Sequence, residues 1–197
     1  MTKASGSARE RLLAAADRLF YAEGIHTVGI DRLISEAGVA KGSLFYNFSG
    51  KDDLVSAYLS GRQEDRRDRI ARHQEGVADP VDRILAMFDA LEESALSPTY
   101  NGCPFANAYA EAAPDSVEAE AVRSFRAWLA ESFLGLTREA GFTDPEDVAR
   151  RVGVLYDGAI STSQLDAHPD AVRLAREMAA TVMAAEPRVA LAPVAAV

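Results

Sequence analysis

Residues 27–48 read TVGIDRLISEAGVAKGSLFYNF, two short amphipathic segments joined at Ala37-Gly38-Val39. Ile30, Leu33, Ile34 and Ala37 recur at helical spacing, which gives the first segment one apolar face. Gly38 supplies the positive φ that a sharp helix-to-helix turn needs. Leu44 and Phe48 fall on one side of the second segment, with Ser43, Tyr46 and Asn47 mostly on the other. A helix this short is unstable alone, so packing must hold its apolar side while the opposite side stays free. The pattern predicts a helix-turn-helix whose second helix is able to enter a DNA major groove.

The rest of the chain leaves room for that reading. Its 197 residues suit one large or two small domains, and 48% hydrophobic residues are ample for a core. No run approaches the roughly 18 uninterrupted apolar residues of a membrane-spanning helix. MTKASGSARERLL lacks the apolar centre of an export signal, so the expected location is the cytoplasm. One cysteine, Cys103, forbids an internal disulfide and fits a reducing compartment. His26, His73 and His168 are scattered and make no metal-ligand set with it, and no cofactor is expected. The net charge of −9 is unevenly spread: residues 1–55 carry seven basic and seven acidic side chains, and the remainder carries 14 against 23. An acidic body repels phosphate on every approach except through the neutral N-terminal segment. That permits specific binding by the segment and argues against a sequence-blind nucleic-acid coat.

Nearly the whole chain reads as helix, without alternating β-branched runs or an Asn-Gly hairpin. A first helix over 7–23 ends at Gly24, and the two short helices follow. Ser49 with Asp52 three residues on is the expected opening of a fourth, apolar at first and then densely charged from Arg62 to Arg72, a run expected to be a solvated face. Asp79-Pro80, Asp115 with Glu118, Asp144-Pro145 and His168-Pro169 mark later helix starts. A short helix is expected over 105–112, and PRVALAPVAAV reads as an unstructured or loosely packed end. The expected fold is all-α, with about nine helices.

These features resemble the TetR (tetracycline-repressor) family of transcriptional regulators. The resemblance rests on the helix ending at Gly24 and on IDRLISEAGVAKGSLFYNFSGKDDL over 30–54, where A-G-V, K-G-x-L, Phe48 and K-x-x-L keep the family's spacing. It covers about a quarter of the chain. GCPF at 102–105 and LYDGAI at 155–160 are similar to features of one branch of such regulators. The resemblance implies a DNA-binding domain over 1–50 and a ligand-binding and dimerisation domain over 51–197. It implies a recognition helix over 40–48, with Ala40, Lys41 and Ser43 near base edges and Lys41 donating to guanine O6 and N7. Tyr46 and Asn47 match positions at phosphates or the groove edge, and Lys51 matches a phosphate contact aided by a helix N-terminus. Thr27, Arg32 and Gly42 complete the implied contact set. Phe45 stands where the family commonly has tyrosine, which leaves either an apolar contact, as to a thymine methyl, or packing against the first helix. Asn47 replaces a frequent histidine.

The resemblance also implies a homodimer, since one head reads only a few base pairs; its two recognition helices would lie about 34–36 Å apart. The last two long helices are the candidates for pairing as a four-helix bundle, through Val148, Val152, Leu155 and Ala159 and through Ala171, Ala175, Met178, Ala179 and Val182. The same stripes would serve packing within one subunit. A pocket for a small organic effector is expected from Phe88, Leu91, Cys103, Phe105, Asn107, Tyr109, Phe125, Trp128, Tyr156, Asp157 and Gln164, although core packing accounts for most of the aromatics. Asp157 serves either a ligand or the dimer interface. Cys103 is either a redox trigger or a small buried side chain, and no lysine or arginine adjoins it in sequence to activate the thiol. No nucleophile–base pair is evident, so an enzyme using Tyr156, Asp157 or His168 is the remote reading. The expected function is a dimeric repressor released from a palindromic operator by a small molecule.

Overall fold

The computed structural model describes residues 6–166 and 170–189; the expected helix start at His168-Pro169 and the chain from 190 onward lie outside them. The described residues form nine α-helices: α1 (Ala8–Glu23), α2 (Ile30–Ala37), α3 (Lys41–Asn47), α4 (Lys51–Gln74), α5 (Pro80–Ala95), α6 (Pro104–Glu111), α7 (Val117–Glu139), α8 (Pro145–Leu165) and α9 (Asp170–Ala185). They pack as two compact units. One comprises the described residues up to Arg66 together with Cys103–Phe125, the other Arg67–Gly102 with the described residues from Arg126 on.

In the first unit, α1 starts at a capping box. The Ser7 hydroxyl accepts from the Glu10 amide at 3.2 Å, and the Glu10 carboxylate accepts from the Ser7 amide at 2.8 Å. Leu12, Ala15, Ala16, Leu19 and Phe20 form the buried stripe of α1, which packs on α2 and α3. The turn between α2 and α3 closes as the sequence predicts. Gly38 is left-handed at φ +61°, and the Gly38 and Val39 amides donate to the carbonyls of Ser35 and Ile34, both at 3.2 Å. Leu33, Ala37, Leu44 and Phe48 complete this small core with Leu54, Val55, Tyr58 and Leu59 of α4.

In the second unit, α9 packs against α8 and α5, and α5 also touches α8. Asp79 caps α5 by accepting from the Val81 amide at 2.7 Å, and Asp144 caps α8 by accepting from the Asp147 amide at 3.0 Å; each is followed by proline at the first helical position. The buried Thr137 hydroxyl lies 2.9 Å from the Pro145 carbonyl and ties the end of α7 to the start of α8. Phe88, Tyr156 and Phe133 meet edge to face, with centroids 5.3 and 5.5 Å apart.

Four local expectations need correction. Ser116, not Asp115, opens α7, its hydroxyl accepting from the Ala119 amide at 3.2 Å while Asp115 takes a positive φ of 62°. At the start of α4 the Ser49 amide donates to Asp53 at 2.9 Å, one residue beyond Asp52. The charged run on α4 is not simply a solvated face: Arg62, Arg66, Arg69 and His73 recur at spacings of four, three and four on one side of the helix, and none is exposed. Arg62 pairs with Asp17 at 2.6 Å, Arg66 lies over the Phe125 ring, and Arg69 donates to the Ser94 hydroxyl at 2.6 Å. His73 meets Glu93 at 2.7 Å. Finally, residues 187–189 are pinned, with the Thr143 amide donating to Pro187 and the Val189 amide to Gly141.

Candidate nucleic-acid interface

The second short helix, α3, presents its polar side to solvent. Leu44 is wholly buried, whereas Tyr46 is 90% and Phe45 51% exposed. Ala40, Lys41 and Gly42 are exposed, and Ser43 is partly so. Lys41 reaches Asp31 at 3.5 Å, with both side chains largely in solvent. Such a pair contributes about 0–1 kcal/mol, so Lys41 is readily transferred to another acceptor. Asn47 is otherwise engaged: its amide nitrogen donates to the Ser43 carbonyl of its own helix at 2.7 Å. Arg32 pairs with Glu23 at 3.2 Å, and Thr27 is exposed in the turn before α2. Lys51, at the first position of α4, lies 5.9 Å from the Phe20 ring centroid. Phe45 is too exposed to be a core residue of the head.

Other cations of the head hold it together. The Arg11 guanidinium donates to the Gly38 carbonyl at 3.2 Å, across the helix-to-helix turn, and Arg18 pairs with Glu36 at 2.9 Å. Arg9 is exposed in the first turn of α1, its guanidinium 5.3 Å from the ring centroid of Phe48, the residue that ends α3. Sequence reasoning missed Arg9 beside α3, because the contact joins residues far apart in the chain.

The turn after α1 is clasped by two carboxylates from distant sequence. Glu111, the last residue of α6, accepts from the Ile25 amide at 3.0 Å and the His26 amide at 2.7 Å. Two backbone donors meeting one carboxylate make charge-assisted bonds. The His26 ring lies 3.4 Å from Glu118, whose side chain is 7% exposed at the start of α7. Burial pushes the Glu118 carboxyl up, but its backbone amide, the Ser116 hydroxyl and His26 outweigh this and hold it below its ordinary 4.5. A carboxyl depressed in the folded state stabilises the fold above its unfolded pKa and loses that contribution as pH falls through the folded value. Glu118→Gln is therefore expected to lower the thermal midpoint at pH 7, with the difference from the parent shrinking as pH drops below 4.5. Melts from pH 7 to pH 3 check this; a difference constant across that range would show that ionisation of Glu118 does not hold the turn.

The effector candidates divide between the two units. In the first, Phe105 and Phe125 stack 3.8 Å apart and are buried, and Cys103 is buried at the N-terminal boundary of α6. Asn107 is half-buried in α6, and Tyr109 is exposed. A buried thiol is shielded from an oxidant in solution. In the second unit, Phe88, Leu91 and Tyr156 are core residues, and Trp128 is partly exposed beneath the Arg67 guanidinium. Gln164 is exposed and donates to the Asn101 carbonyl at 3.3 Å. Asp157 pairs with Arg126 at 2.6 Å on the rim of an open groove of about 350 Å³ between α7 and α8, lined by Leu129, Phe133, Ala149 and Gly153. That groove shares only Asp157 with the sequence-derived set, since the two helices meet through residues whose periodicity marks burial without naming a partner.

The dimerisation candidates divide in the same way. Val148, Val152, Ala159, Ala175 and Ala179 are buried within the chain, where α8, α9 and α5 meet, and have little surface to give a partner. Leu155, Ala171 and Val182 are half-buried, and Met178 is 48% exposed. The large apolar residues exposed on these helices are Val154, Leu165, Leu174 and Met178.

A short solvent-facing helix held on a three-helix head, behind a sharp glycine turn, defines a helix-turn-helix regulator. Residues 12–58 match the family model described as bacterial regulatory proteins, tetR family. A crystal structure of a TetR-family transcriptional regulator from Streptomyces coelicolor is similar at 34% identity and a TM-score of 0.84, over 90% of this chain and 94% of that one. The HTH-type transcriptional regulator LmrA of Bacillus subtilis is 38% identical over 87 residues, 44% of this chain and 46% of that protein, so the match spans less than half of LmrA. The HTH-type regulator YxaF of the same organism is 27% identical over 165 residues, 79% of this chain and 82% of its own. The chain belongs to the TetR family of DNA-binding transcriptional regulators, which are not enzymes. Among the described residues no helix is long and apolar enough to cross a membrane.

Proposed function

We propose that this chain is a cytoplasmic repressor that binds a palindromic operator as a homodimer and leaves it when a small organic molecule binds. The observation that carries the reading is α3 itself, with Leu44 locked in the core and Lys41, Gly42, Phe45 and Tyr46 turned to solvent. Residues 1–50 act as the DNA-binding domain and 51–197 as the effector-binding and dimerisation domain. Ala40, Lys41 and Ser43 meet base edges, Tyr46 and Lys51 meet phosphates, and Thr27, Arg32 and Arg9 border the groove. Asn47 contributes through its position more than its amide, which α3 already uses. An effector acts by favouring the DNA-incompetent state; a coupling of about 1–3 kcal/mol lowers operator affinity roughly 5- to 150-fold. Selection from a random duplex pool by the full chain, followed by footprinting, tests the operator reading; recovery of no preferred palindrome overturns it.

Dimerisation is assigned to the exposed apolar residues of α8 and α9. Val154 and Leu165, eleven residues apart, share one side of α8, and Leu174 and Met178 are one turn apart on α9. Leu174→Glu combined with Met178→Glu is expected to convert a species of twice the 21.2 kDa chain mass into the monomer, with an unchanged circular dichroism spectrum and lost operator binding. Light scattering after size exclusion checks the mass, and an unchanged dimer would place the interface elsewhere.

A further inference from the structure

We propose that the open groove between α7 and α8 is a binding site for a small apolar carboxylate. The site shares only Asp157 with the residues that the family resemblance gives to an effector. At about 350 Å³ the groove falls within the usual size of small-molecule sites. The inference concerns binding to the chain itself and does not rest on the operator reading.

The gap follows from how the two helices meet. α8 turns its buried side to α9 and α5, and is tied to α7 at two ends. Arg126 of α7 meets Asp157 of α8 at 2.6 Å, and Arg138 of α7 meets Glu146 of α8 at 2.7 Å. These ion pairs lie 11–12 residues apart in sequence, about 17 Å along the helices. Between them the walls are Leu129, Phe133 and Leu134 from α7 and Ala149 and Gly153 from α8. A methyl group built on Gly153 would have nothing of this chain within 4 Å, so open space begins at the backbone of α8. An apolar body placed there takes its own surface and that of the walls out of water.

Charge decides the head group of the occupant. Both acidic side chains of the lining are already taken, Asp157 by Arg126 and Glu146 by Arg138. The bond from Arg138 holds the Glu146 carboxyl below its ordinary value. Arg150 also lines the groove, with a side chain 71% exposed. Its partner is Asp147 at 3.4 Å, outside the lining, and Asp147 also pairs with Arg151 at 2.5 Å. So exposed and shared a pair is weak, and Arg150 is the lining cation that the chain holds least. Its planar guanidinium accommodates a carboxylate through two parallel hydrogen bonds. A cationic ligand would meet the repulsion of Arg126 and Arg150, and a neutral one would leave this donor fork unused.

Calorimetry on the full chain with 2-naphthoate and its neutral amide, 2-naphthamide, tests the assignment. The parent is expected to bind the carboxylate, and to bind the amide roughly tenfold more weakly. Arg150→Gln binds the carboxylate as weakly as the amide, and Arg150→Lys, which keeps the charge without the fork, recovers part of the preference. Gly153→Leu fills the groove and loses both ligands, while melting no lower than the parent because leucine is the better helix former. The proposal is overturned if the parent shows no preference for the carboxylate, if Arg150→Gln binds it as the parent does, or if Gly153→Leu leaves binding unchanged. It is also overturned if light scattering shows that Gly153→Leu turns a dimer into a monomer, which would make the groove the seat of a second copy.

Discussion

Leu44→Ala is expected to destabilise the chain by about 2–5 kcal/mol, the range for truncating a fully buried leucine. Leu44 has no exposed surface and lies in a helix of seven residues, far too short to persist without its packing. The substitution removes apolar contacts with the first helices of the head and leaves a cavity that α3 fills only by moving. Against a total stability of roughly 5–15 kcal/mol, this loss brings the head close to unfolding at physiological temperature. Operator binding should fall with it, since the proposed recognition surface lies on α3. The control lies two residues on: Tyr46→Ala, at a side chain 90% exposed, should change stability by no more than about 0.5 kcal/mol. Urea unfolding of the full chain measures both. A Leu44→Ala variant as stable as Tyr46→Ala would mean that α3 is not held by the core of the head.

What the sequence made legible here is mostly local. Gly38, Asp79-Pro80 and Asp144-Pro145 each act within one turn of themselves, and the hydrogen bonds they make need no knowledge of the rest of the chain. Leu44 and Phe48 follow from helical spacing alone. The failures share a different cause. Val152, Ala159, Ala175 and Ala179 have the periodicity of a contact surface, but periodicity states that a face is covered and not by which chain; their cover is intramolecular. Arg62, Arg66, Arg69 and His73 were hidden inside a charged run, because a long basic side chain reads as solvated unless its acidic or aromatic partner is known. Glu111 carries no sequence signal at all: it ends an ordinary short helix, and its role appears only when the amides of Ile25 and His26, some 85 residues earlier, come within 3.0 Å.

Lys41→Ala and Lys51→Ala are both expected to weaken operator binding, in ways that tell base contact from phosphate contact. Lys41 stands on the solvent side of α3, with Asp31 at 3.5 Å as its partner in the chain. Its removal should cost about 1–3 kcal/mol at one base pair and relax the preference there, because a donor to a base edge discriminates and a donor to phosphate does not. Asp31→Asn supplies the opposite sign: with the competing carboxylate neutralised, Lys41 is freer and affinity rises. Lys51 opens α4, where the positive end of the helix dipole favours an anion, and its ammonium lies 5.9 Å from the Phe20 ring centroid. Its removal should weaken every duplex alike and reduce the slope of log K against log salt by about 1, the signature of one lost phosphate contact. Fluorescence anisotropy between 50 and 200 mM salt, roughly the range over which counterion release dominates, separates the two on a selected and a scrambled duplex. Equal loss on both duplexes for Lys41→Ala would move that residue from the base edges to the backbone. An unchanged salt slope for Lys51→Ala would remove it from the interface.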